Sequence, residues 1–169
     1  VYVALDNHKY GDFSPYLLVS KNRGRSWKKI TNGIPDRHLV WRLVQDHVRP
    51  ELMFAATEFG VFATFDAGKE WHKLSGGMPT ISIRDIQIQR RENDLVAASF
   101  GRGFFVMDDY TALRDIDPSD FDAGAALFAP ILLILFPMLG PDYPLKSASA
   151  SVATAILVET FGFTSGCIG

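Results

Sequence analysis

Leu52-Met53-Phe54-Ala55-Ala56-Thr57-Glu58-Phe59-Gly60-Val61-Phe62-Ala63-Thr64-Phe65-Asp66-Ala67-Gly68-Lys69-Glu70-Trp71 decides the reading of the whole chain. An apolar run ends at Glu58-Phe59-Gly60, a second fills Val61 to Phe65, and Asp66-Ala67-Gly68 then turns the chain into Trp71. Short apolar runs bounded by turn residues predict strand, tight turn, strand, tight turn, with an aromatic at the close.

The same phrase recurs on both sides. Ser20 to Thr64 is 44 residues, and Gly60 to Gly103 is 43. A first unit holds predicted strands over Val1 to Leu5 and Tyr16 to Val19, separated by the polar loop Asp6 to Pro15 and closed by the turn Thr31 to Asp36. The second unit adds Leu39 to Gln45 before the quoted stretch and Trp71 to Leu74 after it. A third runs through Ile81 to Gln89, Leu95 to Ser99 and Phe104 to Asp109, then stops without a Gly and Trp. Four short strands in roughly forty residues are the signature of a propeller blade, which exposes both faces and needs neighbours. The predicted fold is therefore mainly β, a partial β-propeller of about two and a half four-stranded blades.

Ser20-x-Asn22-x-Gly24-x-Ser26-Trp27 and Thr64-x-Asp66-x-Gly68-x-x-Trp71 share one grammar. The short Asx side chain can bond turn amides, Gly accepts a positive φ, and Trp packs on the hairpin. On these residues the chain resembles the Asp-box, or bacterial neuraminidase repeat, propellers, particularly their sortilin-type and glycoside-hydrolase-like bacterial members. The resemblance covers roughly residues 1–128 and includes Thr57-Glu58-Phe59-Gly60-Val61-Phe62, Asn93-Asp94-Leu95-Val96 and Gly101-Arg102-Gly103-Phe104. It implies that Ser20, Asn22, Gly24, Trp27, Thr64, Asp66, Gly68 and Trp71 are structural, on the outer part of the blade. Asn22 stands where the family has Asp, and Glu70 where it has Ser or Thr.

Composition shifts near residue 115. Blades are expected over 1–114, a linker over 115–124 and an apolar helical tail over 125–169. Beyond Asp122 only Asp142, Lys146 and Glu159 carry charge. The apolar run Ala125 to Gly140 is shorter than the roughly 20 residues a spanning helix needs, and Pro141 and Pro144 would break it. Residues 130–169 resemble the start of a sulfite-exporter-type permease of the TauE/SafE family through Pro144-Leu145-Lys146-Ser147-Ala148 and Glu159-Thr160-Phe161-Gly162. That resemblance implies one or two membrane-associated helices, and Glu159 is the ionisable group in the apolar stretch. The chain opens at Val1 with no methionine or basic leader, and is expected to be an internal fragment of a larger protein.

Formal net charge of −2 argues for no nucleic-acid partner. His8, His38, His47 and His72 are scattered and Cys167 is alone, so neither metal nor cofactor is expected. Glycosidic cleavage needs two convergent carboxylates. Glu58 and Asp85 are the candidates, with Asp108 and Asp109 beside them, but turn capping or solvation explains each. Arg102 reads as a solvated turn residue. The expected function is a non-catalytic binding scaffold, extracytoplasmic or membrane-associated, holding a peptide or glycan ligand beside its remaining blades. The alternatives are a fragment of a glycoside hydrolase whose catalytic carboxylates lie mostly elsewhere, and a membrane permease component through the tail.

Overall fold

The computed structural model describes residues 1–118 and the strand Thr164–Gly166. It is mainly β, with three antiparallel sheets in sequence order. The first contains β1 (Tyr2–Asn7), β2 (Asp12–Val19) and β3 (Lys28–Lys29). The second contains β4 (Val40–Gln45), β5 (Met53–Thr57), β6 (Gly60–Thr64) and β7 (His72–Leu74). The third contains β8 (Ile83–Gln89), β9 (Asp94–Ser99), β10 (Phe104–Met107) and β11 (Thr164–Gly166).

From β1 to β10 the strands are consecutive within each sheet, as the turn spacing predicts. The polar stretch Asp6 to Pro15 is shorter as a loop than expected, because a 3₁₀ turn at His8–Tyr10 ends in Gly11 and β2 begins at Asp12. Asp12 takes the Tyr16 hydroxyl and the Ser14 amide, and the Tyr16 bond chiefly holds its carboxyl at about 2. The apolar helical tail expected over 125–169 is not shown. It lies outside the described residues, except that Thr164–Gly166 is strand paired with β10, which corrects a helical reading of those three residues. The third unit, expected to stop at its third strand, thereby gains a fourth. Among the described residues no helix is long and apolar enough to cross a membrane.

The sheets stack face to face. Every residue of β5 and β6 is buried, because alternate side chains enter two different cores. Met53, Ala55 and Phe62 join Leu17, Ile30, Ile34, Val40 and Trp71 between the first and second sheets. Phe54, Ala56, Val61 and Ala63 join Ile83, Ile86, Leu95, Phe105 and Tyr110 between the second and third.

Trp71 fastens the first joint. Its indole Nε1 donates to the Ile30 carbonyl at 2.8 Å, its amide donates to the Asn32 carbonyl at 2.9 Å, and Asn32 Nδ2 donates to the Lys69 carbonyl at 3.1 Å. Gly33 makes this approach possible: a Cβ there would stand 2.2 Å from the Trp71 carbonyl oxygen, and its φ is +87°. Gly33→Ala should therefore cost clearly more than the roughly 1–2 kcal/mol of a left-handed alanine alone. Gly11→Ala is the control, since Gly11 has φ +81° but open space around it. Urea titration of both variants checks this, with the larger loss expected at Gly33.

Candidate functional site

The two turns singled out in the sequence have one hydrogen-bond plan. In the first, the amide of Gly24 donates to Ser20 Oγ at 2.7 Å and that of Ser26 to Asn22 Oδ1 at 2.8 Å. In the second, the Gly68 amide donates to Thr64 Oγ1 at 3.0 Å, and those of Lys69 and Glu70 to Asp66 Oδ1 at 2.8 and 3.1 Å. Burial pushes the Asp66 carboxyl up, but the Thr64 hydroxyl and the two amides outweigh it and leave it below its ordinary value. Both carboxamide and carboxylate are thus consumed by their own turns. Their tryptophans differ: Trp71 is 2 % exposed and Trp27 43 %. The reason is positional. Trp71 lies against the sheet before it, and no described sheet precedes Trp27.

A different cluster gathers around Glu58, at the β5–β6 turn. One carboxylate oxygen, Oε2, accepts the Trp41 indole N–H at 2.9 Å and the Ser82 hydroxyl at 3.1 Å, and lies 3.8 Å from Arg84 Nη2. The Arg84 guanidinium carbon sits 3.9 Å from the centre of the Trp41 ring and 5.1 Å from that of Phe100. His8 meets Trp41 edge-on at 5.6 Å and bonds Asp6, while His38 meets Phe59 edge-on at 4.9 Å. Phe100 is 69 % exposed and Phe59 38 %, so the cluster presents aromatic surface to solvent.

Backbone irregularity builds this cluster. The β4–β5 pairing slips between Val40 and Arg42, leaving Trp41 as the extra residue. The β8–β9 pairing slips in the same way between Ile83 and Asp85, leaving Arg84 as the extra one. A bulge re-aims its side chain and raises local twist. Two bulges at corresponding places in adjacent sheets turn Trp41 and Arg84 onto each other, and the following residues, Arg42 and Asp85, form an ion pair at 3.5 Å. Of the two carboxylates singled out in the sequence, Glu58 is therefore in the Trp41–Arg84 cluster and Asp85 in a separate, half-exposed pair. Asp108 and Asp109 cap the far end of the third sheet, where Asp109 Oδ1 accepts the Thr111 hydroxyl at 2.6 Å. Arg102 is exposed in the β9–β10 turn. Trp41, Ser82, Arg84 and Phe100 are not singled out by the sequence.

A second polar cluster ties the β4–β5 loop to the 3₁₀ segment Tyr110–Asp115. Asp46 is buried and accepts the Tyr110 hydroxyl at 2.5 Å, Arg114 Nε and Nη2 at 2.9 and 2.8 Å, and the Arg49 amide at 2.7 Å. Arg114 also donates to Asn93 Oδ1 at 2.8 Å, and Arg49 donates to the carbonyls of Arg114, Ile116 and Phe65. Burial pushes the Asp46 carboxyl up, yet the Arg114, Tyr110 and Arg49 donors overcome it and hold it well below the usual range. Burial, followed by the Asp46 bond, raises the Tyr110 hydroxyl. No buried side-chain nitrogen or oxygen among the described residues lacks a partner, and the cluster is a clamp between sheets. Among the described residues no group of His, Cys, Asp and Glu is placed to hold a metal.

No family model and no curated protein matches this sequence. Among solved structures, the chain is similar to the crystal structure of an ancestral GH74 enzyme at 18 % identity, with a TM-score of 0.48 over 56 % of this chain. The match spans 14 % of that enzyme's chain.

The clamp has a pH signature. A carboxyl depressed in the folded state contributes stability that is complete above the unfolded value of about 3.9 and is lost as pH falls toward the folded one. Acid unfolding should therefore steepen below about pH 4. Asp46→Asn should flatten that acid limb, while Asp46→Ala should cost about 3–5 kcal/mol at neutral pH by stranding Arg114. Urea melts at a series of pH values check both.

Proposed function

We propose that this chain is part of an Asp-box β-propeller, related to the sortilin-type and glycoside-hydrolase-like members, acting outside the cytoplasm as a non-catalytic scaffold that binds a glycan. The supporting observation is the stack of exposed Phe100 and Arg84 on half-buried Trp41, beside Glu58. Flat aromatic faces suit the apolar faces of sugar rings, and a fixed guanidinium and carboxylate suit hydroxyl groups. Such sites place a few polar groups on an aromatic lining to orient the ligand. A glycan suits this rim because its polar groups are side chains set within an aromatic patch.

Binding without cleavage is favoured by the pairing of the carboxylates. Hydrolysis uses two carboxyl groups across one bond, about 5–10 Å apart. Glu58 is held by Trp41 and Ser82, and Asp85 by Arg42. Asn22, Asp66, Trp27 and Trp71 are assigned to fastening the fold.

Calorimetric titration of neutral oligosaccharides against the full chain tests the reading. Phe100→Ala should weaken binding about tenfold, which is roughly 1.4 kcal/mol, without changing stability, since the ring is exposed. Equal affinity for wild type and Phe100→Ala would remove this rim as the site. Release of reducing sugar would replace the scaffold with a hydrolase.

A further inference from the structure

The outer turns of the first and second sheets enclose a cavity of about 350 Å³ between them. Both of its walls belong to described sheets. Tyr2 and Val19 line it from β1 and β2 and also pack on the core shared with the second sheet, so they give the cavity an apolar floor. Opposite stands the turn from Asp66 to Lys69 that follows β6. The volume falls at the small end of the roughly 300–1,000 Å³ of small-molecule sites.

Its charge is one-sided. Lys21, Lys28 and Lys69 line the cavity, against the carboxylate of Asp66 as the one acidic group among the described residues there. Cross-strand pairing fixes the side on which Lys28 stands: it lies opposite Val19, on the face that meets the second sheet. Lys29 belongs to the other face, where its ammonium sits 5.4 Å from the centre of the Tyr16 ring. Asp66 Oδ1 is already occupied by the Thr64 hydroxyl and the Lys69 and Glu70 amides. No ion pair among the described residues involves Lys21, Lys28 or Lys69, and Lys69 acts on Asp66 by its charge alone. Three ammonium groups against one carboxylate leave positive charge in excess. Like charges gathered over a low-dielectric floor focus a field that draws anions in.

We propose that this cavity binds a compact molecule bearing a phosphate or sulfate ester, its oxyanion held by Lys21, Lys28 and Lys69 and its body resting on Tyr2 and Val19. Ammonium groups act as point charges with three donors each, which suits a tetrahedral oxyanion without requiring a planar fork. The site is separate from the aromatic rim. β6 begins at Gly60, beside the Glu58 turn, and ends at Thr64, which opens the Asp66 turn, so the two lie at opposite ends of one strand. The proposal therefore does not rest on the glycan reading.

Calorimetric titration of the full chain with glucose 6-phosphate and glucose 6-sulfate tests it. At least one ester should bind with a one-to-one ratio, and more weakly as salt is raised. Lys28→Gln and Lys69→Gln should each weaken that binding about tenfold. Arg102→Gln removes the same charge from the exposed β9–β10 turn and should leave it unchanged. Tighter binding of the phosphate ester assigns the cavity to phosphorylated ligands, and tighter binding of the sulfate ester to sulfated ones; either upholds the site. Phe100→Ala should bind the esters as wild type does, so failure of the rim and failure of this cavity are read separately. Absence of saturable ester binding overturns the proposal, as does an equal loss in Arg102→Gln, or equal affinity of the Phe100→Ala protein for glucose itself.

Discussion

Two-sided burial of β5 and β6 is the constraint from which the rest of this molecule follows. A hairpin with Phe54 and Val61 on one face and Met53 and Phe62 on the other cannot exist with either face in water. At roughly 25 cal/mol per Å² of apolar surface, leaving one such face bare would cost several large side chains' worth of stabilisation. The first and third sheets are thus part of the hairpin's folding requirement. Trp71 then fixes the first contact by geometry that only Gly33 permits, and Asp46 fixes the second by charge.

The two fasteners act through different physics. Trp71 contributes a buried ring and two hydrogen bonds to the first sheet's closing turn, and Asn32 adds a third to Lys69, so this joint depends little on pH or salt. Asp46 and Arg114 are charges taken out of water, tolerable because Tyr110, Arg49 and Asn93 satisfy what they leave open. Both link neighbouring sheets only. Stability therefore accumulates joint by joint, as in other repeat architectures.

Much of the fold could be read from residues, and much of the site could not. Strand order and the turns at Asn22 and Asp66 follow from period, glycine placement and short polar side chains, all local signals. Boundaries moved by a residue or two, and β2 lengthened because Asp12 caps its own turn through Ser14 and Tyr16. The exposure of Trp27 followed from the lack of a described neighbouring sheet, a tertiary matter its motif does not encode. Trp41 and Arg84 escaped because a bulge is a property of pairing between strands, and neither residue breaks the alternation of its own strand enough to reveal it. Asp46 escaped for a similar reason: its partners Tyr110 and Arg114 lie more than 60 positions away. Thr164–Gly166, joining β10 from far along the chain, carries no sequence signal of that pairing.

The paired slips in β4 and β8 also divide labour between residues. Because Trp41 and Arg84 are surplus to the ladder, they are exempt from the alternation that commits their neighbours to a core, and either can be exchanged without unseating Val40 or Ile83. The side chains at these two positions can accordingly change in size and charge while the packing beneath them stays as it is.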